Sequence, residues 1–259
     1  MRIFLEGDVF SKYIKFAGNY LDSFAIIFNG NEAHFFNTDP SKITMISKKF
    51  EALDTEASVY PDEPIKVKVS DMLVNIVKKL GSKGYYMIEY DGGDHITIGH
   101  GADYEDWEEF YRINLNIIGT PEEVDEIFDM YQRFSELKET LGAYRFKLSV
   151  EDIQKIVKIS VLFGSNVKLT ACEDNVMIRL ISDGKENAKK KFRASTVELE
   201  KLDEEVSDCV STMISNTMFK SLKDLPKISE YWFTINNESP VIIEDDFNTL
   251  LVAIAPVRE

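Results

Sequence analysis

Asp91, Asp94, His95, His100 and Asp103 bring two imidazoles and three carboxylates into one short stretch, the donor set of a catalytic metal. A metal-dependent hydrolase working through positions 91 to 103 is therefore one reading. Ligands must converge within a few ångströms, however. Asp91-Gly92-Gly93-Asp94 reads as a hairpin turn, and His95 and His100, five apart, point to opposite faces of an extended strand. His34 alternates with Phe35 in a strand, as a packed or surface residue does. Cys172 and Cys209 have no histidine at an informative spacing. Two cysteines make no disulfide framework, which points to a reducing, intracellular compartment. No Gly-rich phosphate loop or nucleophile elbow occurs. The sequence reads as a non-enzyme with no cofactor and no metal.

Lysine is the other informative residue. The chain has 30 Lys+Arg against 45 Asp+Glu, a formal charge of −15, which by itself argues against a nucleic-acid partner. Yet four short amphipathic segments place lysines opposite their apolar stripes: Lys12 and Lys15; Lys78 and Lys79, with Lys83 just beyond; Lys155 and Lys158; Lys220, Lys223 and Lys227. A solvated helix face explains any one of these. Recurrence at equivalent positions of a repeat is harder to explain that way. Seven of the 30 basic residues are arginine, so bidentate reading of guanine is not the purpose. Ammonium groups suit loose, sequence-blind contact with phosphates. The acidic run Asp103-Tyr104-Glu105-Asp106-Trp107-Glu108-Glu109 reads as a solvated loop.

The elements that carry these lysines repeat. At an offset of 143, Ile3-Phe4-Leu5 meets Phe146-Lys147-Leu148 and Ala33-His34-Phe35-Phe36 meets Val176-Met177-Ile178-Arg179. At 145, Ser70-Asp71-Met72-Leu73 meets Ser215-Asn216-Thr217-Met218, and Leu80 meets Leu225. Each half reads as strand, helix, several strands, then strand, helix, several strands. Phe10, Tyr13, Ile14 and Ala17 form the first buried stripe, and Ile153, Ile156, Val157 and Ser160 its counterpart. The second pair buries Leu73, Ile76, Val77 and Leu80, then Met218, Leu222 and Leu225. Alternating runs such as 24–28 and 250–255, joined by Asn29-Gly30-Asn31, Asp91-Gly92-Gly93-Asp94 and Asn236-Asn237, predict antiparallel sheets and an α+β fold. The halves span 1–118 and 143–259. Between them, Thr120-Pro121-Glu122-Glu123 followed by Val124, Ile127, Phe128 and Tyr131 predicts a helix in a 119–142 connector. No apolar run approaches a membrane span, and the opening residues form no signal peptide.

Asn37-Thr38-Asp39-Pro40-Ser41-Lys42-Ile43, Pro240-Val241-Ile242-Ile243 and Ala255-Pro256-Val257-Arg258-Glu259 resemble motifs of the sliding clamps related to proliferating cell nuclear antigen (PCNA). The resemblance covers essentially the whole chain. It implies two equivalent clamp domains, with sheets outside and four short helices on the inner face of a pseudo-sixfold ring of three subunits. It places Lys12, Lys15, Lys78, Lys79, Lys83, Lys155, Lys158, Lys220, Lys223 and Lys227 against duplex DNA. It puts a peptide groove at Thr38, Lys42, Ile43, Met45, Pro240, Ala253, Ala255 and Pro256. Subunit contacts fall at Arg112, Ile113, Asn114 and Leu115 and at Asn187, Lys189 and Lys191. The implied partners are a clamp loader, DNA polymerase, flap nuclease and DNA ligase. The implied role is DNA replication and repair as a processivity factor, in a homotrimer or as a specialised or checkpoint-type subunit of a heterotrimer. The implied location is cytoplasmic for an archaeal chain or a virus of a prokaryote, and nuclear for a eukaryote. A helical connector departs from the family, whose connectors are extended.

Overall fold

The computed structural model describes residues 1–19, 23–38, 44–103, 107–114, 125–126, 129, 132–133, 136, 142–193, 196–206, 209–226, 230–246 and 250–257. The chain forms two compact units, Met1–Asp39 with Ile46–Tyr131, and Pro40–Met45 with Gln132–Glu259.

In the first unit, β1 (Arg2–Glu6) leads into α1 (Gly7–Ala17), followed by β2 (Ser23–Asn29), β3 (Glu32–Thr38), β4 (Thr44–Glu51), β5 (Ile65–Ser70), α2 (Met72–Leu80), β6 (Tyr85–Glu89), β7 (His95–Gly101) and β8 (Trp107–Asn114). Strand orders are β1-β6-β7-β8 and β4-β3-β2-β5. The β2–β3 hairpin turns through Gly30, whose φ of 55° lies in the left-handed region open to glycine. The α1 stripe is as the spacing predicts: Phe10, Tyr13, Ile14 and Ala17 are all buried. Phe10 and Tyr13 meet Phe35 and Phe50 edge-on at centroid distances of 5.5–6.2 Å, so aromatic packing adds to area burial. Gly7 starts the helix without a side-chain cap. Its N–H donates instead to the Gly84 carbonyl at 2.9 Å, where any Cβ on residue 7 would stand 2.5 Å from that oxygen.

The second unit repeats the plan with β9 (Tyr144–Ser149), α3 (Val150–Phe163), β10 (Asn166–Cys172), β11 (Asn175–Ser182), β12 (Lys185–Arg193), β13 (Leu199–Lys201), β14 (Val210–Ile214), α4 (Asn216–Phe219), β15 (Glu230–Ile235), β16 (Val241–Glu244) and β17 (Leu250–Ile254). Its orders are β9-β15-β16-β17, with β13 added beside β9, and β12-β11-β10-β14. Strand by strand these match the first unit. The offsets hold too: β2 and β10 begin 143 residues apart, and β5 and β14 begin 145 apart. Helix α3 is well bounded, since Ser149 Oγ accepts from the Asp152 N–H at 3.1 Å and Gly164 closes it with φ 61°. By contrast α4 is a single turn that continues as a 3-10 helix (Lys220–Asp224). The Ser221 hydroxyl donates to the Met218 carbonyl and competes with the helix ladder, and Leu225 precedes a proline.

Most of the predicted connector helix lies outside the described residues; 125, 126, 129, 132, 133 and 136 are helical. No described helix is long and apolar enough to cross a membrane.

Unpaired cysteines were expected, and the structure corrects this. Cys172 closes β10 and Cys209 opens onto β14; because Ala171 pairs with Val210, the next pair outward is the two cysteines, and they form a disulfide. The inference of a reducing compartment loses its basis with them. On one face of the β13–β9–β15 strands, Trp232 stacks under Arg145 (4.4 Å) and Lys147 (4.8 Å). Lys147 in turn reaches Glu198 and Asp246, each at 3.0 Å, which hold its ammonium above the usual pKa.

A bridge across 37 positions restricts the unfolded chain, an effect worth about 3–4 kcal/mol in the loop-entropy account. Reduction, or Cys209→Ser, should lower the melting temperature, and thiol titration of the unreduced, denatured chain should find no free thiol. An unchanged melting temperature after complete reduction would count against the bridge.

Candidate nucleic-acid interface and peptide cleft

Each helix is fixed by its buried stripe, and this decides where its lysines point. On α1, Lys12 is exposed and Lys15 half-exposed. Lys12 pairs with Asp8 one turn back at 2.5 Å, so part of its field is cancelled. On α2, Lys78 and Lys79 are exposed in the last turn, where cations also complement the helix dipole. Lys79 Nζ donates to the Tyr111 hydroxyl at 2.8 Å, which together with Glu109 raises its pKa; Tyr111 donates in turn to Glu109. Lys83 follows in the turn and is exposed. On α3, Lys155 and Lys158 stand exposed, one turn apart, opposite Ile153, Ile156 and Val157. Lys220 and Lys223 are exposed on the 3-10 turn, Lys223 lying 3.6 Å from Asp224. Lys227 lies outside the described residues. Among the described residues, Lys15, Lys78, Lys155, Lys158 and Lys220 have no carboxylate partner within salt-bridge distance.

The residues implied for a groove fall on several elements. Lys42 and Ile43 lie outside the described residues. Thr38 ends β3, and Met45 is buried in β4. Ala253 is fully buried in β17, while Pro240, Ala255 and Pro256 are half-exposed. Pro256 lines a cleft of about 630 Å³ within the second unit. Its floor and walls come from residues the sequence reasoning did not single out: Lys168 on β10, Ser211, Thr212 and Met213 on β14, and Asn237 and Glu238 in the following turn. Backbone bonding builds it. The Val257 N–H donates to the Met213 carbonyl at 2.7 Å, the Ser211 N–H to Asn237 Oδ1 at 2.9 Å, and Thr212 Oγ1 to the Ser239 carbonyl at 2.9 Å. From sequence, the Asn236-Asn237 turn signal and Pro256 of the C-terminal motif pointed toward this cleft.

The His/Asp cluster does not converge. His95 Nδ1 lies 3.2 Å from its neighbour Asp94, a hydrogen bond that holds the Asp94 carboxyl below its usual pKa. His100 Nε2 faces the Lys83 carbonyl at 2.7 Å, with its ring 5.0 Å from that of Tyr86. Asp91 accepts from the Gly93 N–H at 3.0 Å within the turn. Among the described residues no three His, Cys, Asp or Glu side chains come together to hold a metal ion. His34 stacks on Phe36 at 3.9 Å, and burial, with Lys49 nearby, pulls its pKa down to about 3, leaving it neutral. At the remaining predicted contacts, Ile113 is buried in β8; Arg112 and Asn114 belong to the same strand, and Leu115 lies outside the described residues. On β12, Asn187, Lys189 and Lys191 are exposed.

Two units of one topology with helix-borne lysines define the PCNA-type clamp fold, and solved structures bear this out. The chain matches PCNA of Thermococcus kodakaraensis with TM-score 0.74 at 11% identity, covering 99% of both chains. It matches the PCNA2–PCNA3 complex of Sulfolobus tokodaii with TM-score 0.75 at 14% identity over 100% of both. PCNA of Entamoeba histolytica matches with TM-score 0.73 at 14% identity, over 99% of this chain and 98% of that one. No family model and no curated protein sequence matches the chain.

The scattered 91–103 carboxylates and imidazoles should bind no metal. Metal content by mass spectrometry after dialysis should be the same for the wild type and an Asp94→Ala, His95→Ala variant; stoichiometric metal lost in the variant would revive the hydrolase reading.

Proposed function

We propose that this chain is a subunit of a DNA sliding clamp, a non-enzymatic ring that encircles duplex DNA and tethers replication and repair enzymes. The observation that carries the reading is the coincidence of a clamp fold over the whole chain with exposed lysines on α1, α2, α3 and the 3-10 turn that continues α4. In a protein of charge −15, such a face is the local exception that phosphates would seek, while the acidic remainder repels DNA elsewhere. Lysines without fixed carboxylate partners make interchangeable, screened contacts. A closed ring needs nothing stronger, because topology rather than affinity prevents dissociation.

The cleft beside Pro256 is the corresponding enzyme-docking site. It offers backbone groups and polar side chains around Met213, Pro256 and Val257, a surface suited to an extended peptide with one polar and one apolar anchor. Polymerase, flap nuclease, ligase and clamp loader are the partners this assigns. Membership of a heteromeric ring is the second reading, supported by the PCNA2–PCNA3 complex among the structural neighbours.

Topological linkage gives the direct test. Chain loaded by its cognate loader onto a nicked plasmid should co-elute with the DNA and be released when the plasmid is linearised; retention on linear ends would defeat the proposal. In addition, replacing Lys78, Lys155, Lys158 and Lys220 with Ala should reduce clamp-stimulated synthesis and flatten its salt dependence, by roughly 0.9 in log–log slope per lost phosphate contact. Lys12→Ala should do less, since Asp8 already offsets that charge.

A further inference from the structure

The disulfide belongs to the wall of the cleft beside Pro256. Side chains alternate along β10 and β14, and burial alternates with them. One outward row reads Lys168, Thr170 and Cys172 on β10, against Met213, Ser211 and Cys209 on β14 and its approach. Lys168 lies across from Met213 and Thr170 from Ser211, so the bridge is the next rung of the same ladder. Lys168, Ser211 and Met213 all line the cleft. Cys209 is exposed and Cys172 half-exposed, so an external thiol reaches the sulfurs without opening the core.

β14 has only five residues, and both of its edges are in use. One edge pairs with β10, from Val210 opposite Ala171 to Ile214 opposite Val167. The other edge builds the cleft. The Ser211 N–H donates to Asn237 Oδ1 at 2.9 Å, and its carbonyl accepts from the Glu238 N–H at 3.3 Å. Met213 holds the Val257 N–H through its carbonyl. With two cysteines in the chain, the bridge is the sole covalent tie between the approach to β14 and β10. Short strands open from their ends, and the end that the bridge ties lies two residues from Ser211.

We propose that the Cys172–Cys209 bridge is a reversible redox site, a substrate for dithiol reductants, whose state sets the shape of the cleft. A thiolate of the dithiol attacks the exposed Cys209 sulfur. The S–S bond breaks, and Cys172 leaves as a thiolate that takes a proton from water. The second thiolate of the reagent then attacks the mixed disulfide and releases Cys209, which is protonated in turn. The bridge gains two electrons and two protons, and the dithiol loses the same and ends as a cyclic disulfide. Once the bridge is open, the start of β14 frays and Ser211 gives up its contacts with Asn237 and Glu238. The oxidised chain thus holds the cleft formed, and the reduced chain loosens it. The consequence for enzyme docking rests on the reading of the cleft given above; control of its shape rests on the bridge itself.

Hydrogen exchange read by mass spectrometry tests this, on the oxidised wild type and on the same chain after dithiothreitol without denaturant. Thiol titration of the treated, folded chain should find both cysteines free, and an oxidised dithiol should close them again. Segments 209–214 and 255–257 should then exchange about tenfold faster than in the oxidised form, while β15, β16 and β17 of the same unit keep their rates. A Cys172→Ser, Cys209→Ser variant should match the reduced chain and ignore the reagent. A bridge that yields to dithiothreitol only when the chain unfolds would overturn the proposal. So would no acceleration on reduction, or acceleration shared equally by β15, β16 and β17. Docking is read separately, as retention of the cognate DNA polymerase on the immobilised chain, which should fall on reduction. Equal retention by the oxidised wild type and an oxidised Met213→Glu variant defeats the cleft as a docking site and leaves the redox site standing. Unchanged exchange on reduction defeats the redox site alone.

Discussion

The constraint on which this structure turns is that each short helix has one side to spend on its sheet. Phe10, Tyr13, Ile14 and Ala17 on α1, and Ile153, Ile156, Val157 and Ser160 on α3, are held inside, so Lys12 and Lys15, and Lys155 and Lys158, on the opposite sides are turned toward water. Burying such side chains contributes roughly 1.5–3 kcal/mol each, far more than any lysine on the other side could gain or lose by its contacts. The basic face is thereby free to change in sequence without touching stability. The same fold is reached by very different sequences, as near-complete structural coverage at 11–14% identity shows.

Much of this was legible in the sequence because it is periodic. Hydrophobic spacing located the helices, turn residues located the hairpins, and two internal offsets revealed the duplicated plan even though few residues match. What escaped was whatever depends on register between strands distant in sequence. The pairing of Cys172 with Cys209 follows from β10 lying against β14, an adjacency that spacing along the chain does not encode. The cleft lined by Lys168, Thr212, Met213 and Glu238 likewise gathers residues from β10, β14, a turn and the chain's last described segment. By contrast the 91–103 cluster looked dense only because sequence distance compresses it; strand geometry pulled its members apart.

The two units obey one topology yet solve local problems differently. α3 has a serine cap and a left-handed glycine stop, whereas its partner α1 begins on a glycine pressed against the Gly84 carbonyl. The second helix of the first unit is regular, while that of the second unit unwinds into a 3-10 turn after four residues.

Trp232, lying under two cations on β9, has a practical consequence. The chain contains one other indole, Trp107. With that residue replaced by Phe, the emission of Trp232 would come solely from the sheet of the second unit, shaped by the charges stacked on its ring. The protein thus carries an intrinsic optical reporter for one half of a duplicated fold, by which the melting of the two halves can be told apart without attaching a dye.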